Sequence, residues 1–269
     1  MTRTARASQA AAWAAVACAM TLGCASDESR RSPPAMDAAA PMESLSPAPA
    51  SPADPERLFA DSRKAMVTRQ LIGRDITDPD VLEVMGRVPR HLFVPEGLRG
   101  SAYADYPLYI GYDQTISQPY IVALMTQLAE PRMGKKALDV GTGSGYQAAV
   151  LAELVGQVYS IEILCPLADS ARERLEGMNY DNIEVACGDG YQGWPEHAPF
   201  DLIIVAAAPD HIPQPLTEQL SPGGRLVIPV GRHYQELIVI EKDREGEISR
   251  RSVAPVRFVP MTGEAQRKH

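Results

Sequence analysis

The chain has 269 residues, of which 45% are hydrophobic, 22% charged and 6% aromatic, and its formal net charge at pH 7 is -8. That acidity argues against nucleic acid and anionic lipid as main partners, and the low aromatic share argues against a base-stacking surface. Once an atypical N-terminus is set aside, the length suits one folded domain of about 200 residues, enough to bury a sizeable core.

Residues 1–23 read as an export signal. Arg3 and Arg6 form a positive start, and the uncharged run from Ala10 to Leu22 is too short to span a bilayer comfortably. It stops at "LGC", where Cys24 follows a small residue as in a bacterial lipoprotein processing site. Cys24 is then the expected lipidation site. Thr21 departs from that pattern, which prefers Leu, and an ordinary signal peptide with a chance cysteine is the alternative. Residues 24–55 are dominated by Pro, Ala and Ser and are expected to form a disordered tether. Of the other cysteines, Cys18 leaves with the signal. Cys165 and Cys187 could pair in an oxidising compartment, but two buried thiols are the expectation. No metal-ligand spacing occurs among the Cys and His residues, so no metal is expected.

The folded domain is expected over 56–269. Apolar residues at Leu58, Phe59, Met66, Leu71 and Ile72 predict a helix that stops at Gly73. Asp78 and Pro79 predict the N-cap and first turn of a second helix, to Met85. From Lys135, strands and helices alternate. "ALDVG" is a strand, 146–155 a helix, "VYSIEI" a strand and 166–178 a helix. "IEVACGD" and "FDLIIVAAA" are strands, 213–220 a helix and "GGRLVIPVG" a strand. "QELIVIEKD" and "VAPVRFVPM" close the chain with no helix between them. Such alternation predicts right-handed crossovers and a parallel sheet. The predicted fold is a doubly wound, mostly parallel, Rossmann-like α/β sheet with antiparallel C-terminal strands and a helical N-terminal subdomain.

The turn after "ALDV" holds Gly141, Thr142, Gly143, Ser144 and Gly145. Glycines permit a tight turn and close backbone approach, and the helix that follows offers free N–H groups. Dinucleotide folds show G-x-G-x-x-G, whereas this chain has G-x-G-x-G. Glu162 ends the second strand, where an acid can accept both ribose hydroxyls. Asp189, followed by Gly190, ends the third, where an acid can accept from an adenine amino group. Three consecutive strand ends of this chemistry point to an S-adenosylmethionine-dependent methyltransferase. Before the glycine strand, Gln114, Thr115, Ile116, Ser117, Gln118 and Pro119 cluster polar groups at the start of an apolar helix, which is a carboxylate site. Ser117 reads there as an N-cap or its neighbour. His91, His197 and His211 read as loop or surface residues.

The stretches "PRHLFVP", "YPLYIGYDQTISQP", "VGTGSGYQAAVLAELVGQVYSIE", "GDGYQGWPEHAPFDLIIVAAAP", "GGRLVIPVG" and "VRFVPMTG" resemble the protein-L-isoaspartate O-methyltransferase family from about Met66 to Gly263. The resemblance implies methyl transfer from S-adenosyl-L-methionine to the free α-carboxyl of L-isoaspartyl residues in age-damaged proteins and peptides. The ester then closes to a succinimide, which hydrolyses partly to normal aspartate. Carried onto this chain, the resemblance makes Ser117 the active-site position, with Thr115, Ile116 and Gln118 beside the acceptor. Gly141 to Gly145, Glu162, Asp189 and Gly190 would hold the cofactor. Asp139 stands where many members have Glu, and Ala206 where many have Thr. A carboxyl with a pKa near 3.5 is already anionic at neutral pH and needs no general base, so Ser117 reads as a hydrogen-bond donor and not a nucleophile. A monomer is expected. The rivals are a methyltransferase for another carboxylate and a non-catalytic nucleotide-binding module. The family resemblance implies the cytoplasm, where S-adenosylmethionine is made, while the N-terminus argues for an exported, membrane-anchored periplasmic lipoprotein. Translation from Met36 or Met42 would remove the signal.

Overall fold

A computed structural model describes residues 54–267. The signal-like segment, Cys24 and the tether up to residue 53 lie outside the described residues. No helix among the described residues is long and apolar enough to cross a membrane.

The first helix, α1 (Pro55–Met66), starts one residue before the expected domain boundary, with the Asp54 carboxylate capping the Glu56 N–H at 3.0 Å. A single π-helical turn, Val67–Leu71, continues it. At the expected stop, a Cβ on Gly73 would sit 2.7 Å from the Arg69 carbonyl oxygen. Helix α2 (Pro79–Arg87) is capped by Asp78, whose carboxylate accepts from the N–H groups of Asp80 and Val81. A hairpin follows that the sequence did not announce: β1 (Leu108–Gly111) pairs antiparallel with β2 (Gln114–Ile116). Its turn carries Tyr112 and Asp113 at φ of 53° and 57°. Helix α3 (Pro119–Ala129) begins directly afterwards, with Gln118 and not Ser117 at its N-cap.

The main sheet comprises β3 (Lys136–Val140), β4 (Gln157–Glu162), β5 (Ile183–Cys187), β6 (Phe200–Val205), β7 (Leu220–Val230), β8 (Gln235–Lys242) and β9 (Ile248–Val256). Their spatial order is β5-β4-β3-β6-β7-β8-β9. The five strands from β5 to β7 run parallel, and β8 and β9 add antiparallel. The chain therefore grows outward from β3 in one direction and then returns to its other side at β6. The place where strand order reverses, beyond the carboxyl end of β3, is where such sheets bind ligands.

Successive side chains of a strand face opposite sides. Accordingly Leu202 and Ile204 of β6 join one apolar core, and Ile203 and Val205 join the other. The first core lies under α2, α3, α4 (Tyr146–Ala152) and α5 (Cys165–Gly177). The second is covered more lightly, by α6 (Gln214–Glu218), which supplies Leu216, by short helical turns that supply Tyr191 and Ala265, and by Met261 of the irregular segment between. Burial on both faces explains why β3 and β6 read as nearly continuous apolar runs.

Two expectations are corrected. The last strand ends at Val256 and begins at Ile248, five residues before the expected start. The Asp243 carboxylate accepts from the N–H groups of Glu245 and Glu247, closing a tight hairpin that starts β9 early. Arg257 to Met261 are left free of the ladder and run back toward the sheet's centre, where Pro260 bridges to Ala208. In addition, Cys165 and Cys187 are neither buried nor free. Both are exposed, and they form a disulfide with Cα atoms 5.0 Å apart. Cys165 opens α5 and Cys187 closes β5, so adjacent parallel strands bring together two residues that lie 22 apart in sequence.

Candidate active site

The glycine turn is tied down on every side. Gly141, Gly143 and Gly145 have φ of 92°, 53° and 87°, the left-handed region in which a side chain is strained. The N–H groups of Gly141 and Thr142 donate to the Ile161 carbonyl, and Gly143 N–H donates to Glu162 Oε2 at 2.9 Å. Arg174 of α5 donates to the Ser144 carbonyl at 2.9 Å. Behind the turn lies a buried chain: Ser160 Oγ is 2.7 Å from Asp139 Oδ2 and 2.6 Å from Thr142 Oγ1. Asp139 has no exposure, and its Oδ1 has no partner. Burial pushes its carboxyl up to about 7.

A cavity of about 320 Å³ opens beyond this turn. Gly141, Thr142, Gly143 and Ser144 line it, as do Glu162, Asp189 and Gly190. Gly145 is the exception: it faces away, and a Cβ there would lie 3.2 Å from the Leu175 side chain of α5, so its smallness serves helix packing. Gly190 is a close approach, since a Cβ there would meet Val140 Cγ1 at 2.5 Å. Each oxygen of Glu162 accepts one backbone N–H, from Gly143 at 2.9 Å and Leu164 at 3.0 Å. Asp189 likewise accepts from Tyr191 N–H and Glu264 N–H, at 3.0 and 2.7 Å. A carboxylate oxygen has capacity for a second donor. The two acids are therefore oriented by backbone and still able to accept.

The residues expected to hold the acceptor reach the same space. Thr115, Ile116 and Ser117 line the same cavity. Thr115 and Ser117 also line a second, neighbouring cavity of about 890 Å³, together with Gln118. Ser117 is half-buried, and its hydroxyl has no hydrogen-bond partner among the described residues. Its carbonyl accepts from Arg90 Nη2 at 2.7 Å.

Sequence reasoning missed several of the wall residues. Tyr112 and Asp113 come from the hairpin, and Val259 to Thr262 from the segment released after β9. Positive φ at two consecutive non-glycine residues leaves little trace in sequence, and the C-terminal segment was hidden by a misplaced strand end. His91 was misread as well. It is 2% exposed, stacks on Phe59 with ring centroids 4.1 Å apart, and contacts the Tyr103 hydroxyl at 2.8 Å. Burial lowers its pKa despite the neighbouring Glu56 carboxylate. His197 stacks on Tyr159 and His211 contacts the Tyr191 hydroxyl, both at the partly exposed edge of the fold.

A backbone cradle at the switch point of a parallel sheet, with one acid ending the second strand and another just past the third, defines an S-adenosylmethionine-dependent methyltransferase. No group of His, Cys, Asp or Glu among the described residues is arranged to hold a metal. The comparisons narrow the class. Residues 61–266 match the family model for protein-L-isoaspartate(D-aspartate) O-methyltransferase, and the chain belongs to that family. Protein-L-isoaspartate O-methyltransferase 2 of Syntrophobacter fumaroxidans is 57% identical over 198 residues, covering 73% of this chain and 80% of the relative. A protein-L-isoaspartate O-methyltransferase of Synechococcus is 54% identical over 225 residues, covering 81% and 91%. Among solved structures, a protein-L-isoaspartate O-methyltransferase from Plasmodium falciparum in complex with S-adenosyl-L-homocysteine is 28% identical, with a TM-score of 0.64 over 74% of this chain and 98% of that one.

Proposed function

We propose that the two cavities divide the substrates of an isoaspartate methyltransferase. In this reading the glycine turn, Glu162 and Asp189 hold S-adenosyl-L-methionine, and residues 115–118 hold the free α-carboxyl of an L-isoaspartyl residue in a damaged protein. The observation that carries it is the meeting of the two cavities at Thr115, Ser117, Ala206 and Val259, which line both. Bound S-adenosylmethionine supplies an electrophilic methyl group on a sulfonium.

The chain's own residues orient and exclude. Glu162, fixed by two backbone donors, accepts from the ribose hydroxyls, and Asp189 accepts from the adenine amino group. Ser117 turns its unpartnered hydroxyl to the acceptor carboxylate. That carboxylate is ionised at neutral pH and needs no proton removed, so placement and exclusion of water supply the rate. Neither His91 nor His211 lines either cavity, consistent with a reaction that needs no imidazole base.

The test is a matched pair of peptides, one with L-isoaspartate and one with L-aspartate at the same position, assayed with labelled S-adenosylmethionine. Only the first should take up methyl. Equal labelling would refute the repair reading and leave a methyltransferase standing.

We further propose, from the N-terminus and against the cytoplasmic setting that the family implies, that the mature protein lies outside the cytoplasm, anchored through Cys24. Two features support it: the residue pattern before Cys24, and an exposed Cys165–Cys187 disulfide of the sort that persists in oxidising compartments. Mass spectrometry of the native N-terminus decides this point. A lipid-modified Cys24 is expected, and a first residue at Met36 or Met42 would discard the anchor.

A further inference from the structure

We infer that Arg90 is a positioning residue, whose guanidinium fixes the backbone of the acceptor segment at Ser117 against the helix that follows the glycine turn. Arg90 opens a short 3₁₀ turn, Arg90–Phe93, in the "PRHLFVP" stretch, which plays no other part in the site. Its side chain is wholly buried. Nε donates to the Ala102 carbonyl at 2.7 Å and Nη2 to the Ser117 carbonyl at 2.7 Å. The guanidinium carbon lies 4.9 Å from the ring centroid of Tyr146, the first residue of α4. Nη1 has no hydrogen-bond partner.

A buried cation is costly unless it is paired. No carboxylate pairs with Arg90 among the described residues. Its compensation is two carbonyls from separate segments and the face of one aromatic ring. Burial accordingly lowers its pKa to about 10, which still leaves it charged at neutral pH. An apolar side chain would fill this space at less cost, so the charge is explained by what it holds. One planar fork reaches two carbonyls at once and lies on a ring, which a lysine ammonium cannot match. Holding the Ser117 carbonyl fixes the peptide plane from which the Ser117 side chain departs. Tyr146 itself lines the cofactor cavity, so the same guanidinium ties the acceptor wall to the cofactor wall.

This inference rests on Ser117 serving the acceptor carboxylate, as proposed above. The experiment compares Arg90→Lys, Arg90→Gln, Ser117→Ala and the double variant Arg90→Lys/Ser117→Ala. Turnover of an isoaspartyl peptide, S-adenosylhomocysteine affinity and thermal stability are measured on each. Loss of placement without loss of cofactor binding should lower kcat by about tenfold or more in Arg90→Lys and Arg90→Gln, with S-adenosylhomocysteine affinity held within about threefold. In the Ser117→Ala background the Arg90→Lys loss should shrink to about threefold or less, because coupled residues are non-additive. Should Arg90→Lys fail to fold, the neutral Arg90→Gln, which can still reach one carbonyl, carries the comparison alone. Turnover of both single Arg90 variants within about twofold of wild type would overturn the inference, as would an equal loss of cofactor affinity. A full Arg90→Lys penalty in the double variant would overturn it too. If Ser117→Ala itself turned over like wild type, the acceptor reading would fall and take this inference with it. An impaired Ser117→Ala beside a normal Arg90→Lys would sink the Arg90 role alone.

Discussion

The proposed cofactor end and the proposed acceptor end of the cleft are built in opposite ways. The cofactor end comes from one continuous run, residues 140–190, in which three successive strands each deliver a loop to the same edge of the sheet. Backbone bonds between neighbouring strand ends fix it, Gly141 to Ile161 and Gly188 to Glu162, and the Glu162 carboxylate accepts one more from Gly143 N–H. The acceptor end collects a hairpin at 108–116, a buried arginine from residue 90 and an irregular segment at 257–262. No strand pairing joins those pieces to one another. The 257–262 segment is held to Ala208 by backbone bonds, but the Ser117 end of the hairpin segment is held by the Arg90 side chain, so that part of the wall should respond to point changes that the cofactor wall would absorb.

The disulfide is the strongest local device at the cofactor end, and removing it should give the largest effect. It joins the start of α5 to the end of β5, on the two loops that carry Glu162 and Asp189. Closing a loop of this length stabilises by roughly 3 kcal/mol in the chain-entropy account. Cys165→Ser/Cys187→Ser, or treatment with a dithiol reductant, should lower Tm by roughly 6–12 °C. A reduced protein that melts at the oxidised temperature would show that strand pairing alone holds this edge.

Ser117→Ala probes the other end. It removes one hydrogen bond to a charged group, worth about 1.5–3 kcal/mol, which lowers kcat/KM about ten- to a few hundred-fold. Binding of S-adenosylhomocysteine should stay nearly unchanged. A trapped covalent serine intermediate would overturn the role given to Ser117. Glu162→Ala is the mirror experiment. It leaves ribose hydroxyls and the N–H groups of Gly143 and Leu164 without their acceptor, so S-adenosylhomocysteine binding measured by calorimetry should weaken by about 1–3 kcal/mol. Preferential binding of NAD would undo the cofactor assignment.

The same contrast explains which parts were legible in the sequence. The glycine turn, Glu162 and Asp189 were readable because parallel strands buried on both faces write long apolar runs, and the residue after each run is the strand end. Asp78 was readable as a cap because capping is chemistry over three residues. The hairpin was not, because its turn places Tyr112 and Asp113 in the left-handed region with no Asn-Gly or Asp-Gly signal. The disulfide was not, because it depends on β4 and β5 being neighbours and in register, with Glu162 opposite Cys187. Nor was the burial of His91, which lies in no periodic segment and is enclosed by Phe59 and Tyr103 from elsewhere in the chain. Gly145 reads as part of the cradle from its spacing, yet its neighbour is Leu175, a contact that only the packed helix creates.

The smallest predicted effect separates the two ends by pH. Asp139 lies behind the cofactor turn with its pKa raised to about 7 by burial, whereas its unfolded value is near 3.8. The folded state therefore holds that proton more tightly than the unfolded state. Between those two values the unfolded chain binds fewer protons, and stability falls as pH rises. Over pH 6 to 8 the proton is lost from the folded protein itself, and the change amounts to about 1 kcal/mol. His91, beside the N-terminal helices, has the opposite sign. Burial lowers its pKa, so the unfolded chain takes up a proton that the folded chain refuses, and stability is lost as pH falls below the ordinary histidine range. Asp139→Asn is nearly isosteric and can keep the contact to Ser160. It should remove the decline that Asp139 causes from about pH 4 to 8 and leave the His91 contribution as it is. His91→Phe should do the reverse, removing the loss below the ordinary histidine range and leaving the Asp139 decline in place. A wild-type Tm that does not decline from pH 6 to 8, or an Asp139→Asn profile that declines just as wild type does, would show that the Asp139 carboxyl is ionised in the folded protein throughout that range.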